Sequence, residues 1–436
     1  MAFDESYHFG LIMFFSHRVS PIVTHQAPDT YKFGNIIQSP SMLYHYIMSY
    51  PDRLVHLMTH SLVTEVIVLR LINVGFGVLT LLVIRSLLKE LNLSKALTNT
   101  LIIVYAFMPI VSVLSAQINY DNLLILLTTL AILQTLRLIK EIQSRKLNIN
   151  RLLFITFLCL FASLIKFAFL PIFLAVVMIL VYKFLGLRQK NIKLNLNKSL
   201  SLFLLVLLNI IFFGLFIRFY GVNVIRYRNP EPQCNQILSV RACDHYYSWH
   251  INNENRIYGL THPHHHFNAV GYTGYWLYYV SLELVADVVP IQGNSYPNLV
   301  MYAFMVIATW SSLAAFIYFF KKIFSDDRYR VLAFISLTYL IFLWGRLYYD
   351  YNYLGHEPAA IDGRYLVPVL IYILLFYAKS LTYFFQNRLV SRAKYPVAAI
   401  TILMFLVLGG FNQYITQITP RYGRLSPSNS FIIEGT

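Results

Sequence analysis

Two adjacent carboxylates and an imidazole stand together in the stretch AFDESYHFG, residues 2–10, where Asp4 and Glu5 precede His8. On a helix Asp4 and His8 fall one turn apart on one face, and Glu5 lies three residues from His8. A carboxylate held near an imidazole at the outer surface of a membrane can act as a general base. The plainer alternative is a solvated chain end. Asp121, in SAQINYDNLL, is a second acid, placed in a tight turn between two apolar segments. A charge at the hydrocarbon boundary is costly unless it is paired or faces a cavity. Its alternative role is a first-turn acid beside Asn119, favoured by the helix dipole.

Cations that match an anion lie at similar apolar boundaries. Lys166 interrupts SLIKFAFLP, where it either snorkels to the interface or meets an anion. Arg364 and Tyr365 sit in AIDGRYLVPVL at the start of a later apolar segment, and Arg346 ends the segment before it in WGRLYYDYNY. Arginine pairs bidentately with phosphate and keeps its charge at any pH. A phosphate at an outer membrane surface belongs most often to a lipid. Against this stands plain interfacial anchoring, with Asp350 and Asp362 as partners. Arg70, inside an apolar run, is expected to be paired or to face a cavity.

Other residue clusters carry weaker chemistry. The aromatics of HYYSWH, GYTGYWLYY and RLYYDYNY suit sugar stacking but also make an interfacial belt. His262, His264, His265 and His266 offer imidazoles to a divalent ion, although neighbouring loop histidines rarely converge on one metal. Cys234 and Cys243 are expected to form a disulfide staple in an oxidising compartment, while Cys159 lies in an apolar run and reads as packing. Cys234 and Cys243 lack the second CxxC that a zinc site would show.

The elements that must position these residues are membrane helices. The chain has 436 residues, 57% of them hydrophobic and 12% charged, with a mean hydropathy of +0.57; soluble domains carry about 25% charged residues. Apolar stretches of spanning length lie near 65–87, 98–116, 122–138, 199–218, 299–320, 330–346, 364–384 and 396–414. The net charge of +16 is concentrated in five short connectors, around residues 85–95, 137–151, 183–198, 321–330 and 388–394. By the positive-inside rule these connectors are cytoplasmic, so the basic balance reports topology and argues against a nucleic-acid partner. Of the 19 acidic residues only Glu90, Glu141, Asp326 and Asp327 fall in them. Region 152–182 has basic flanks on both sides, and so reads as a hairpin with Lys166 near its outer turn. The expectation is an all-α polytopic transmembrane bundle of about ten segments with both termini outside.

That topology divides the chain into a first outer loop (1–62), membrane helices including the hairpin (63–218), a large outer loop (219–298), further membrane helices (299–414) and an outer tail (415–436). It leaves Asp4 and Glu5 outside with no helix before them, so an upstream first helix is expected to be missing from this start or lost. The cytoplasmic connectors are too short for a nucleotide-binding domain, and no phosphate-cradling glycine-rich loop occurs. ATP and nucleotide-sugars are therefore unlikely substrates. No inverted repeat of the transporter kind is visible.

FDESYHFG resembles the acidic motif in the first outer loop of the multi-pass GT-C glycosyltransferases, especially the FDE-x-HFG-like stretch of protein O-mannosyltransferases. SPSMLYHYIMSYP resembles the proline- and tyrosine-rich segment after it. VLRLINVGFGVLTLLVIRSLLKEL and SAQINYDNLLILLTTLAILQTLRLIK look like the next membrane helix and the acidic outer turn, and SLIKFAFLPIFL and GRYLVPVLIYILLF complete the order seen in bacterial members, aminoarabinose-transferase-like proteins among them. The likeness covers most of the chain in order. Tyr7, standing between the acids and His8, departs from the mannosyltransferase-like spacing.

The resemblance implies inverting transfer of a sugar from a polyprenyl-phosphate donor to a hydroxyl of a glycan, lipid or protein, at the extracytoplasmic face of the cell membrane. On that mapping Asp4 deprotonates the acceptor and Glu5 supports the acceptor or a metal. His8, Asp121, Lys166, Arg346, Arg364 and Tyr365 bind substrate, with Lys166 and Arg364 at the positions of phosphate-binding cations. No cofactor is implied with certainty, and a divalent metal stays open. Two other classes compete: a transporter or flippase of lipid-linked glycans, and a non-catalytic descendant that binds lipid-linked sugar.

Overall fold

Backbone N–H and C=O groups in a hydrocarbon layer have no water to bond, so an apolar chain of this length must satisfy them within helices. The computed structural model describes residues 4–186, 193–195, 200–261, 268–285, 299–354 and 363–385, with 399, 400 and 403. Apart from two three-residue strands, the regular structure of these residues is helical. In chain order the helices are α1 (Glu5–Ser16), α2 (Leu43–Met58), α3 (Leu62–Glu90), α4 (Lys95–Ala106), α5 (Pro109–Ser115), α6 (Tyr120–Gln143), α7 (Ile149–Ile165), α8 (Leu170–Leu185), α9 (Leu200–Phe216) and α10 (Val222–Tyr227). They continue with α11 (Cys234–Ile237), α12 (Val240–Cys243), α13 (Tyr247–Thr261), α14 (Ala269–Val285), α15 (Leu299–Ile323), α16 (Asp327–Leu354) and α17 (Val367–Phe384).

Six helical stretches among the described residues are long and apolar enough to cross a membrane: α3, α6, α8, α9 with α10, α16 and α17. The architecture is thus that of an all-α membrane protein, with six such spans where the sequence reading has about ten. The segment expected at 98–116 is broken in two at Phe107–Met108, because Pro109 has no N–H for the helix ladder and sits instead at the first position of α5. The segment expected at 199–218 runs on to Tyr227 through a π turn at Ile217–Gly221. The segment expected at 396–414 lies almost wholly outside the described residues. α9 buries none of its side chains and exposes Phe203, Ile210 and Phe213, among others. Such an all-round apolar surface is stable against lipid and not against water.

α6 lies at the centre, with most of its length buried. α3 packs along it, and a polar knot ties the pair to α2 and α5. Asn122 Nδ2 donates to Asn73 Oδ1 (3.0 Å) and to the carbonyls of Leu114 (2.7 Å) and Gln117 (3.1 Å), while Tyr44 donates to the same Asn73 oxygen (2.9 Å). Close approach of α5 to α3 depends on Gly77, where a Cβ would stand 2.9 Å from Ser115 Oγ. α7 and α8 form a hairpin: Lys166 ends α7 in an extended conformation, and a 3-10 turn over Phe167–Phe169 starts the return. The two strands, β1 (Lys146–Asn148) and β2 (Lys193–Asn195), pair in parallel with Lys146 opposite Lys193, so both basic flanks of the hairpin meet at one end of the bundle. The opposite end carries Lys166 and the candidate site.

Over that end the first 60 residues build a small core of their own from Leu11, Phe14, Phe15, Val23, Phe33, Ile36 and Met42. Gln26 closes the loop between α1 and α2: its Nε2 donates to the carbonyls of Gly34 (2.6 Å) and Thr30 (3.2 Å), and its Oε1 accepts from the Ile36 amide (3.2 Å). Gly34 has φ of 70°, and a Cβ there would meet the Tyr246 ring at 2.8 Å. The later loop is pinned to the same layer. Arg218 Nη1 donates to Gln38 Oε1 (2.9 Å), and Asn223 Nδ2 donates to the Gln38 carbonyl (2.8 Å) and the Pro230 carbonyl (3.1 Å). A disulfide joins Cys234 to Cys243.

α2 carries one charge in an unfavourable setting. Asp52 is buried and accepts from Ser16 Oγ at 2.6 Å. Burial pushes its carboxyl up to about 6, with nearby Glu65 adding to the rise and the Ser16 bond opposing it. Between the ordinary carboxylate value and about 6 the folded chain holds a proton that the unfolded chain has released. Stability from this group therefore falls as pH rises through that window. Asp52→Asn keeps an acceptor for Ser16 and removes the charge. It is expected to raise the thermal midpoint at pH 7.5 by about 2–4 °C, with a much smaller effect at pH 4.5; a lower midpoint at pH 7.5 would refute the assignment.

Candidate active site

Successive residues of a helix point about 100° apart, and the start of α1 uses this to send its two acids to different places. Asp4 is the residue before α1 and its side chain is 53% exposed, lying on a cleft where its Oδ2 accepts from Arg364 Nη2 at 3.0 Å. Glu5 turns inward and is buried. Its Oε1 accepts from Arg70 Nε (2.7 Å) and the Ile118 amide (3.1 Å), and its Oε2 accepts from Arg70 Nη2 (2.6 Å). Glu5 thus joins α1 to α3 and to the turn before α6, and Arg70 is the cation that neutralises it.

Arg364 and Tyr365 are set by a 3-10 turn over Gly363–Leu366 that precedes α17. Tyr339 Oη on α16 donates to the Tyr365 carbonyl at 2.6 Å and fixes that turn. Beside it, Lys166 Nζ donates to Asp121 Oδ1 at 2.7 Å and lies over the rings of Tyr120 (4.4 Å) and Tyr365 (4.9 Å). Asp121 is positioned by the helix start: Asn119 is the N-cap of α6, its Oδ1 accepting the Asp121 amide at 2.8 Å. The two roles open to Asp121 are therefore joined, since a first-turn acid also meets the buried lysine. A hairpin turn (Lys166), two helix starts (Asp121, Arg364) and the start of α1 (Asp4) converge.

His8 is behind the cleft wall. Its Nδ1 lies 2.9 Å from His45 Nε2, the two rings stack at 5.2 Å, and the Tyr120 ring meets it edge-on at 4.5 Å. Burial, with the positive fields of Arg364 and Lys166, holds His8 well below its ordinary value, and burial with the field of His8 does the same for His45. Both rings are neutral at neutral pH, and one nitrogen of the close pair donates to the other.

The loop after α10 brings further groups near the site. Glu231 has an exposed surface, yet it sits so far within the envelope of the protein that lost hydration pushes its carboxyl up; Arg346 and Lys166 oppose the rise and Asp350 adds to it. Glu231 thus lies within electrostatic range of Lys166 and Arg346. Arg346 donates from Nε to Asp350 Oδ2 at 2.9 Å, one helical turn on, and is within electrostatic range of Glu231. Tyr246 packs against Tyr7 of α1, their ring centres 6.1 Å apart. Burial pushes both phenols up, with the charges of Asp4 and Glu231 contributing, so both remain hydroxyl donors.

Of the residues singled out in the sequence, Asp4, Asp121, Lys166, Arg364 and Tyr365 come together; Glu5 and His8 support them from inside, while Arg346 is paired with Asp350 on α16. Sequence reasoning did not single out Glu231, Tyr120 or His45, and it reached Tyr246 only as one of the aromatics of HYYSWH. Glu231 lies in RNPEPQC, between two prolines and with no periodic pattern to mark it; the nearest signal is Cys234, three residues on. The histidines at 262, 264, 265 and 266 lie outside the described residues. Among the described residues no group of three or more His, Cys, Asp or Glu could hold a metal ion. No protein-family model, curated protein or solved structure matches this chain.

Two outcomes test this geometry. Glu5→Gln leaves the Arg70 charge in a largely enclosed site without its counter-ion, and is expected to cost about 3–5 kcal/mol, read as a marked drop in thermal midpoint; an unchanged midpoint would remove the pair from its structural role. The histidine pair sets a pH dependence. Its folded values lie below the unfolded ones, so its stabilisation is complete above about 6.5 and is lost as pH falls below that. The thermal midpoint is expected to fall between pH 7.5 and 5.5, and the fall to shrink in His45→Gln; an equal fall in both proteins would place the titration elsewhere.

Proposed function

We propose that the cleft transfers a sugar from a polyprenyl-phosphate donor to a hydroxyl acceptor at the extracytoplasmic face of the membrane, with inversion. The observation that carries this reading is the division of labour between positions 4 and 5. A general base must reach its substrate, and Asp4 is open to the cleft, whereas both oxygens of Glu5 are engaged inside. Asp4 takes the proton of the acceptor hydroxyl as that oxygen bonds to the anomeric carbon. The bond from that carbon to the phosphate oxygen breaks, and the phosphate leaves with the electron pair.

Positive charge in place before the reaction stabilises a departing phosphate. Lys166 and Arg364 supply it, each held over the Tyr365 ring. In the resting site Arg364 holds Asp4 and Lys166 holds Asp121. A donor phosphate competes with Asp4 for Arg364, and a carboxylate released in this way turns to the acceptor. The base is thereby freed by the substrate whose reaction needs it.

Asp4→Asn keeps an acceptor for Arg364 but cannot take a proton. In vesicles supplied with lipid-linked sugars it is expected to lower release of polyprenyl phosphate by about 10²–10⁴-fold, compared at equal amounts of folded protein because the Arg364 side chain left without its counter-ion is only 9% exposed. Equal release from both proteins would remove Asp4 from the mechanism. Movement of intact lipid-linked sugar across the vesicle without a new glycosidic bond would assign the cleft to transport instead.

A further inference from the structure

α2 is not one of the membrane spans, yet it exposes an apolar stripe. One side of the helix, Tyr44, His45, Met48, Ser49 and Asp52, is buried against the rest of the fold. On another side Tyr46, Tyr50, Leu54, Leu57 and Met58 follow one another at helical spacing. Leu54, Leu57 and Met58 are 64%, 83% and 88% exposed. Tyr46 Oη donates to the Val19 carbonyl at 2.6 Å, which brings Val19, 90% exposed, to the same stripe. An apolar patch of this kind marks a surface that is covered in use.

Both ends of α2 are fixed at the level where membrane helices end. At its start Leu43 packs against the cluster of Leu164, in the last turn of α7, with Phe219 and Tyr220, in the π turn after α9. Ser41 Oγ, just before it, accepts the Phe167 amide of the hairpin turn at 3.2 Å. At the other end His56 Nδ1 lies 2.9 Å from Glu65 Oε1 in the first turn of α3, and only residues 59–61 separate the two helices. The 16 residues of α2 span about 24 Å at 1.5 Å per residue. With one end at the outer end of α7 and the other at that of α3, the helix lies along the outer surface of the membrane rather than through it.

We infer that this stripe is seated in the outer leaflet, at the boundary between phospholipid headgroups and acyl chains, with α2 lying in the plane of the surface. Continuity specifies lipid as the cover. Val63, which follows Met58 by five positions, continues the stripe with Ile67 and Leu71, and these are exposed on a helix that crosses the membrane and so already face lipid. One surface covers both without a break. Charge agrees: the Arg53 guanidinium lies 5.0 Å from the centre of the Tyr50 ring, at the edge of the stripe, and no exposed carboxylate occurs from Leu54 to Val63. An in-plane helix with such a face sinks about 5–10 Å into the headgroup and acyl boundary. The inference rests on no cleft residue and stands independently of the reading of the cleft.

The test uses the full chain in phosphatidylcholine vesicles, with Cys159→Ala so that each introduced cysteine is the one reduced thiol. Nitroxide labels are placed singly through Leu54→Cys, Leu57→Cys and Met58→Cys, with Val78→Cys on the lipid face of α3 and Thr24→Cys in the first loop as references. Every labelled position is exposed, so no packing is displaced. Collisions with oxygen, which concentrates among acyl chains, and with a water-soluble nickel chelate are read by power saturation. The oxygen-to-nickel ratio at Leu54, Leu57 and Met58 is expected to exceed that at Thr24 severalfold and to approach that at Val78. Ratios equal to that at Thr24 would put the stripe in water and overturn the inference. Spectral broadening at Leu57 that disappears on dilution with unlabelled chain would show a second copy as the cover, and would overturn it too. Cys159 is buried to 1% exposure, so the native background serves for labelling if the alanine variant folds poorly.

Discussion

The buried fork between Glu5 and Arg70 is the contact on which the candidate site depends. An ion pair taken out of water holds only if its geometry is good and its remaining polar atoms are bonded. Here the two residues are 65 positions apart, both carboxylate oxygens are used, and the Ile118 amide supplies a third donor. Through one side chain the start of α1 is tied to the membrane helix α3 and to the turn that begins α6. The direction of Asp4 follows, because its neighbour in the chain cannot rotate. Glu5 therefore acts on the cleft without facing it.

The same economy recurs around the cleft. Each cation in its floor has a carboxylate: Arg70 with Glu5, Lys166 with Asp121, Arg364 with Asp4. Aromatic faces take the sides of Lys166 and Arg364 that the carboxylates leave. Charges at this depth are tolerated because they are balanced in pairs, yet the pairs differ in exposure. Glu5 is sealed and Asp121 nearly so, while Asp4 is half open. Only the last pair can be opened by a ligand at small cost.

Much of this was legible in the sequence, and what was not has a physical reason. Apolar run length fixes α3, α6, α16 and α17, because the membrane imposes one requirement on every span. Paired basic flanks identified the α7–α8 hairpin with Lys166 at its turn. Run length does not report an interruption such as Phe107–Met108, where Pro109 breaks the ladder without altering hydropathy. Nor does it report the continuation past Phe219, since the π turn carries polar residues while remaining helical. Asp121 and Lys166 stood out as charges in apolar surroundings, but their partnership links residues 45 apart and is a property of the fold. His8 was read beside Asp4 from helix spacing alone. The packing of α2 against α1 supplies His45 and draws the ring away, an effect that no local pattern encodes.

Glu231 shows the limit most clearly. Its position follows from long-range constraints: Arg218 and Asn223 both bond Gln38, Asn223 also holds the Pro230 carbonyl, and the Cys234–Cys243 bridge closes the turn that follows. The π turn contributes by adding a residue to the helical circuit, which rotates Arg218 and Asn223 toward the first loop. The loop after α10 is thereby pinned to the layer built by the first 60 residues. Glu5 fixes the direction of Asp4, and Gln38 holds the loop that carries Glu231, so the first 60 residues position both carboxylates. The acidic stretch near the beginning of the chain thus sets the direction of Asp4, the later part of the first loop holds the segment that carries Glu231, and Lys166 and Arg364 come from the hairpin turn and the start of α17.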